Sequence, residues 1–318
     1  MKSITVFTPA YNRAHTLRRA FESLKKQTCK DFEWLIIDDG SSDGTIELIE
    51  ELKEEADFPV RYYWKENGGR HTAVNYSYQF LRTKYVVTLD SDDELTENAI
   101  ELMLKDWKEI PKDRYDKIWC ISGREMDANT RKLVGKPYPS YINNLSGKLQ
   151  RKEILKYEGE KHCCRKVDVH IQYKFPVYED TKFVLENTVW ELINRKYDQW
   201  CVNDVFGLYH TESEDGLGKG GVHANHRYQT FYHAGIFYTN ELFDEFFYNK
   251  RVPIYIVNTS RCAMLSHIPY TIVMKELNTW YKRVLVTLGY PISAMWIALH
   301  LSRIKNRRTL GSVPDKKK

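Results

Sequence analysis

The chain has little of what marks several whole classes of protein. Its 318 residues include only 6 cysteines, and none falls in a C-x-x-C pair. The one close pair, Cys163 and Cys164, is adjacent. Such spacing supports neither a zinc site nor a disulfide framework. The thiols read instead as buried and free in a reducing cytosol. The opening MKSITVFTPAYNR contains no apolar run of secretory length, so no signal peptide is expected. Glycine and proline are sparse, at 16 and 10 residues, which excludes collagen-like and low-complexity chains. No G-x-G-x-x-G follows the first apolar segment, which argues against a dehydrogenase. No glycine-rich, arginine-bearing first loop is present either, which argues against sugar nucleotidyl transfer. Excess charge is also small: 48 basic against 43 acidic residues, a net of +5. Residues 302–318 hold 7 basic residues and 1 acid, a net of +6, leaving 41 basic and 42 acidic residues, a net of −1, for residues 1–301. A near-neutral body does not suit nucleic acid, which needs a basic face.

What is present is a folded chain with ample core, 42% hydrophobic. Its first half alternates two periodicities. Strand patterns cover 3–8, 33–37, 60–64 and 85–89, and helical patterns cover 14–29, 45–56, 71–82 and 96–107. Alternation of this kind predicts an α/β fold with a mostly parallel sheet flanked by helices. Ligands of such sheets bind beyond the C-terminal strand ends. The second half is less regular, with strands expected at 119–122, 167–173 and 197–208 and a helix at 183–195. From residue 225 the pattern is helical and aromatic-rich. The organisation read from this is a regular half over 1–110, a less regular half of the same domain over 111–224, and a helical C-terminal extension over 225–318.

Polar clusters follow the strands. Asp90, Asp92 and Asp93 are carboxylates close enough to repel, a cost that a divalent cation with hard oxygen ligands, Mg²⁺ or Mn²⁺, relieves. A turn and helix N-terminus would favour the same residues. Asp38, Asp39 and Asp43 could accept N–H bonds from a uracil, bond a ribose hydroxyl, or cap the next helix as an Asx turn. Asn67-Gly68-Gly69-Arg70-His71 opens a helix with free amides and a cation, a pattern that suits phosphate or a tight turn alike.

Four segments in order carry a resemblance: Phe7-Thr8-Pro9-Ala10-Tyr11-Asn12-Arg13, Ile36-Ile37-Asp38-Asp39-Gly40-Ser41-Ser42-Asp43, Asn67-Gly68-Gly69 and Leu89-Asp90-Ser91-Asp92-Asp93. Together they resemble the family-2 glycosyltransferases, over roughly residues 3–107, which implies a donor-binding half over 1–110 and an acceptor-binding and base-bearing half over 111–224. The resemblance implies the A-type glycosyltransferase fold, Rossmann-like in its sheet, and a nucleotide-sugar donor, usually a UDP-sugar. It implies a donor-binding set of Pro9, Tyr11, Arg13, Asp39, Gly69, Arg70, Asp90 and Ser91, with Tyr11 stacking on the base, Asp39 bonding it and Arg70 near the diphosphate. Asp90 and Asp92 match the D-x-D motif, with Asp92 the direct metal ligand, and His210 could complete the metal sphere from the far side. An inverting transfer also needs one general base. Val184-Leu185-Glu186-Asn187-Thr188-Val189-Trp190 fits the family's place for it, which points to Glu186. Relatives often carry an acid pair where this chain has Glu-Asn, so Glu179 and Asp180 remain rivals. Loss of the base would leave a nucleotide- or glycan-binding protein without turnover.

Two further segments stand out. The loop 212–221 is rich in glycine and could close as a lid. Residues 284–301 carry no formal charge over 18 positions and precede Arg303, Lys305, Arg307 and Arg308. That reads as an interfacial anchor on an anionic membrane or as a core helix with a solvated tail. The expectation is a cytoplasmic enzyme, peripheral on the inner membrane face, that adds a sugar to a glycan or lipid-linked acceptor in surface polysaccharide synthesis.

Overall fold

The structure is a computed structural model that describes residues 1–157, 159–210 and 227–310. The loop expected at 212–221 and the end of the basic tail lie outside the described residues. The chain forms two compact units, residues 1–222 and 223–318.

The first unit is built on one sheet of eight strands: β1 (Ile4–Ala10), β2 (Phe32–Asp38), β3 (Val60–Trp64), β4 (Tyr85–Thr88), β5 (Glu94–Leu95), β6 (Ile118–Asp127), β7 (Lys161–Lys166) and β8 (Asp198–Tyr209). Their order across the sheet is β3-β2-β1-β4-β7-β6-β8-β5. The four strands expected from the first half pair in parallel, and so do β6 and β8. Strand β7 runs antiparallel to both its neighbours, and β5 to β8. The helices of this unit are α1 (Leu17–Lys25), α2 (Thr45–Glu55), α3 (Arg70–Ser77), α4 (Ala99–Glu109), α5 (Lys112–Tyr115), α6 (Gly147–Ile154), α7 (Val167–His170) and α8 (Asn187–Asn194).

Two cores cover the sheet because side chains alternate along each strand. Val6, Trp34, Ile36 and Val87 face Leu17 and Phe21 of α1, Ile49 of α2 and Met103 of α4. Their neighbours Phe7, Leu35, Ile37 and Val86 pack with Val74 of α3 and with Val189 and Ile193 of α8. Burial on both faces explains the near-continuous apolar runs.

The strand expected over 167–173 is not formed. Residues 167–170 are instead the short helix α7, and the strand lies just before it as Lys-His-Cys-Cys-Arg-Lys. Val167, Val169 and His170 are all buried, which one helical turn achieves as well as an alternating strand does. Four of the six β7 residues are cationic or histidine, so hydropathy conceals the strand.

One helix carries a pH dependence. Asp106 of α4 is 2% exposed, and its Oδ2 has no hydrogen-bond partner. Burial, followed by the nearby charge of Asp204, pushes its pKa up from 3.8 to about 7. A carboxyl whose folded pKa lies above its unfolded value stabilises the fold fully below the unfolded value. That contribution fades as pH rises toward 7. Asp106→Asn is therefore expected to gain on the order of 1–2 kcal/mol at pH 8 and little at pH 4, as read by urea unfolding at the two pH values.

The second unit holds α9 (Arg227–Glu241), α10 (Arg251–Leu265), α11 (Tyr270–Glu276) and α12 (Trp280–Leu310). Tyr238, Val252, Ile256, Val273 and Val286 are among its core residues. Among the described residues no helix is long and apolar enough to cross a membrane.

Candidate active site

Strands β1 to β3 deliver their C-terminal residues to one edge. Ala10 lies opposite Asp38, and Asp38 opposite Trp64. The loops that follow are braced to each other. Asn12, at a positive φ of 53°, accepts the Ser42 amide through Oδ1 at 2.8 Å and donates its own amide to Ser41 Oγ at 2.8 Å. The Arg13 amide donates to Thr45 Oγ1 at 2.7 Å. Pro9 is buried within β1, whereas Tyr11 is 47% exposed on its loop.

Asp39 organises the next loop. It is 3% exposed, and its carboxylate takes Lys65 Nζ at 2.6 Å, the Gly69 amide at 2.7 Å and the Gly68 amide at 3.1 Å. The resemblance implies that Asp39 bonds the base; its partners in the structure are the Asn67-Gly68-Gly69 turn and Lys65. Gly69 has φ +94°, and a Cβ there would lie 1.9 Å from the carbonyl oxygen of Lys182. That segment crosses closely because Lys182 Nζ donates to Asn67 Oδ1 at 2.8 Å. Removing a charge from a buried pair strands its partner. Asp39→Ala is therefore expected to destabilise the first unit by about 3 kcal/mol, seen as a lower urea midpoint.

The Lys182–Asn67 clasp carries Glu186, the residue preceding α8, to the start of α3. There Arg70 bridges two carboxylates. Its Nη2 donates to Asp90 Oδ1 at 2.5 Å, and its Nη1 is ion-paired with Glu186. Residues 70, 90 and 186 thus meet, with 44% of the Asp90 side chain and 37% of the Glu186 side chain still open. Burial pushes the Asp90 carboxyl up, but the charge and hydrogen bond of Arg70 outweigh it. His162 and Arg165 add to this, and the pKa is held below its ordinary value. Asp180 is exposed on the preceding segment.

Ser91 is 5% exposed, and Arg19 donates from Nη1 to the Asp92 carbonyl at 3.0 Å, which holds the turn. Asp93 is pushed up to about 8 by burial, with the Asp90 and Asp92 charges adding. The turn carries three carboxylates, Asp90, Asp92 and Asp93, hard oxygen ligands of the kind a divalent cation takes. Among the described residues no group of three or more His, Cys, Asp or Glu side chains converges as a metal cage. A Mg²⁺-type ion held by one or two carboxylates and by substrate phosphates needs no such cage. His210 donates its amide to Asp93 Oδ1 at 2.9 Å, and its Nε2 lies 2.7 Å from Glu94 Oε1.

Two residues escaped the sequence reading. Lys65, next after β3, closes on Asp39. Arg165 of β7 is 6% exposed, donates to Thr88 Oγ1 and lies 5.1 Å from the Trp190 ring centroid. Lys65 stands at a strand end and could have been found there, whereas Arg165 sits in the strand that hydropathy concealed.

The sequence model of glycosyl transferase family 2 matches residues 5–164, half of the chain. The chain belongs to this family. The matched region runs from β1 into β7 and so includes every donor-side loop described above. Chondroitin synthase of Pasteurella multocida (strain Pm70) is 40% identical over 105 residues, which is 33% of this chain and 11% of that protein. Poly-beta-1,6-N-acetyl-D-glucosamine synthase of Staphylococcus aureus (strain COL) is 28% identical over 155 residues, 49% of this chain and 36% of that one. The chain thus spans only about a tenth to a third of these relatives. The crystal structure of S. aureus TarS 1–349 in complex with UDP-GlcNAc matches with a TM-score of 0.58 at 14% identity, covering 94% of this chain and 92% of that one. The mannosyltransferase PcManGT from Pyrobaculum calidifontis, in complex with GDP-Man and Mn²⁺, matches with a TM-score of 0.54 at 15% identity, covering 92% and 82%. The fold of this family member is the A-type glycosyltransferase fold.

Proposed function

We propose that the chain transfers a sugar from a nucleotide donor, a UDP-sugar, to a glycan or lipid-linked acceptor with inversion at the anomeric carbon. The observation that carries this is Arg70 between Asp90 and Glu186. One cation joins the carboxylate of the D-x-D turn to Glu186, 96 positions further along the chain from Asp90, at the sheet edge where α/β folds bind ligands.

In this reading Tyr11 stacks on the base, and Arg70 turns from Asp90 toward the diphosphate. That movement frees Glu186, whose carboxylate takes the proton of the acceptor hydroxyl. The hydroxyl oxygen attacks the anomeric carbon as the bond to the UDP oxygen breaks, and UDP leaves carrying the negative charge. Arg70 stabilises that charge as it develops. Asp92 and Asp90 would hold the divalent cation, Mn²⁺ or Mg²⁺, which supplies charge neutralisation at the diphosphate when bound. The six free thiols, four of them buried, suit a reducing compartment, so the reaction is assigned to the cytoplasm.

The test is UDP release from a panel of UDP-sugars with Mn²⁺, paired with calorimetric UDP binding. Release with one or more sugars supports the reading. Absence of nucleotide binding at millimolar UDP, with or without metal, overturns it. Binding without release under any acceptor would favour the non-catalytic alternative.

A further inference from the structure

The second unit leaves one face of its longest helix uncovered. The inner face of α12 is closed against α10: Ser260 and Ser293 are buried and share a hydrogen bond of 2.9 Å, and a Cβ on Gly289 would lie 2.7 Å from Ser260 Oγ. Lys282, Val286, Gly289 and Ser293, spaced by four, three and four, line that buried face. Val284, Leu288, Ile292, Met295 and Leu299 follow the outer face and are 49–62% exposed. Between residues 284 and 300 the helix carries no formal charge. Scattered exposed apolar residues need no explanation, but a continuous uncharged stripe marks a docking surface.

Charge decides the occupant. Residues 280–310 contain no Asp or Glu, while Arg283 precedes the stripe and Arg303, Lys305, Arg307 and Arg308 follow it in the sequence. A second copy docked on this face would bring like charges together in either direction, because a two-fold interface matches each patch with itself. An anionic bilayer complements both the stripe and its flanks. The length fits as well: the stripe from 284 to 299 is about 22 Å at the helical rise per residue, enough to lie along a surface.

We propose that α12 docks the protein in the interfacial plane of an anionic membrane, with this stripe in the acyl boundary and the flanking cations at the headgroups. The inference stands apart from glycosyl transfer, since it is read without donor or acceptor. The test is cosedimentation of the full chain with vesicles of phosphatidylcholine alone and of phosphatidylcholine with phosphatidylglycerol. Binding to the anionic vesicles is expected to be about tenfold tighter or more and to weaken at high salt. Leu288→Asp with Met295→Asp should reduce it by a further factor of about ten, while UDP binding by the first unit stays unchanged and reports a folded variant. Replacing Arg307 and Arg308 with Gln should weaken anionic binding alone. Equal affinity for neutral and anionic vesicles, or no vesicle binding, overturns the proposal. So does a dimer in lipid-free sedimentation that the double aspartate variant dissociates.

Discussion

Glu186→Gln is expected to lower sugar transfer about a thousandfold while UDP binding stays within about threefold, because a positioned general base contributes roughly 10²–10⁴. The change is close to isosteric. The amide can still accept a hydrogen bond from Arg70, so the clasp of residues 181–186 over the Asn67 turn should persist, and what is lost is the capacity to take a proton. Single-turnover transfer and calorimetric UDP titration separate these two quantities. If transfer survives in Glu186→Gln, the base lies elsewhere, and Asp180→Asn becomes the decisive variant. If UDP binding falls as steeply as transfer, Glu186 acts by holding Arg70 and is a positioning residue.

Asp92→Asn is expected to lower kcat/KM by about 10²–10³, the range for losing one electrostatic stabiliser of a developing anion. Its signature differs from that of Glu186→Gln. The fall should be accompanied by a higher Mn²⁺ requirement and by loss of the metal-dependent part of UDP binding, with the metal-free part unaltered. Asp92 is suited to this test because its backbone carbonyl, which the substitution leaves in place, holds the turn through Arg19. A variant with an unchanged Mn²⁺ profile would remove Asp92 from the metal site.

Much of the donor side was legible because it is local. Each of its polar segments follows an apolar strand directly, and the strands are parallel, so their C-terminal ends share an edge. Asp39 and Gly69 were both legible as loop residues, but their mutual hydrogen bond was not, since 30 residues separate them. The other half was harder to read for two reasons. Strand β7 carries cations whose charge hides its place beside β4. The register between β6 and β8 is also broken by irregular shifts, which no periodicity in the sequence signals.

By itself the sequence determined the alternation of strands and helices, the four ordered loops and the concentration of charge in the tail. Those follow from residue-by-residue hydropathy and turn chemistry, which act over a few positions. Tertiary structure decided which carboxylate meets Arg70, that Asp39 closes on Lys65, and which face of α12 stays open. Each of these depends on contacts between segments far apart in the chain, and a contact of that kind exists only once the packed core has set the distance between them.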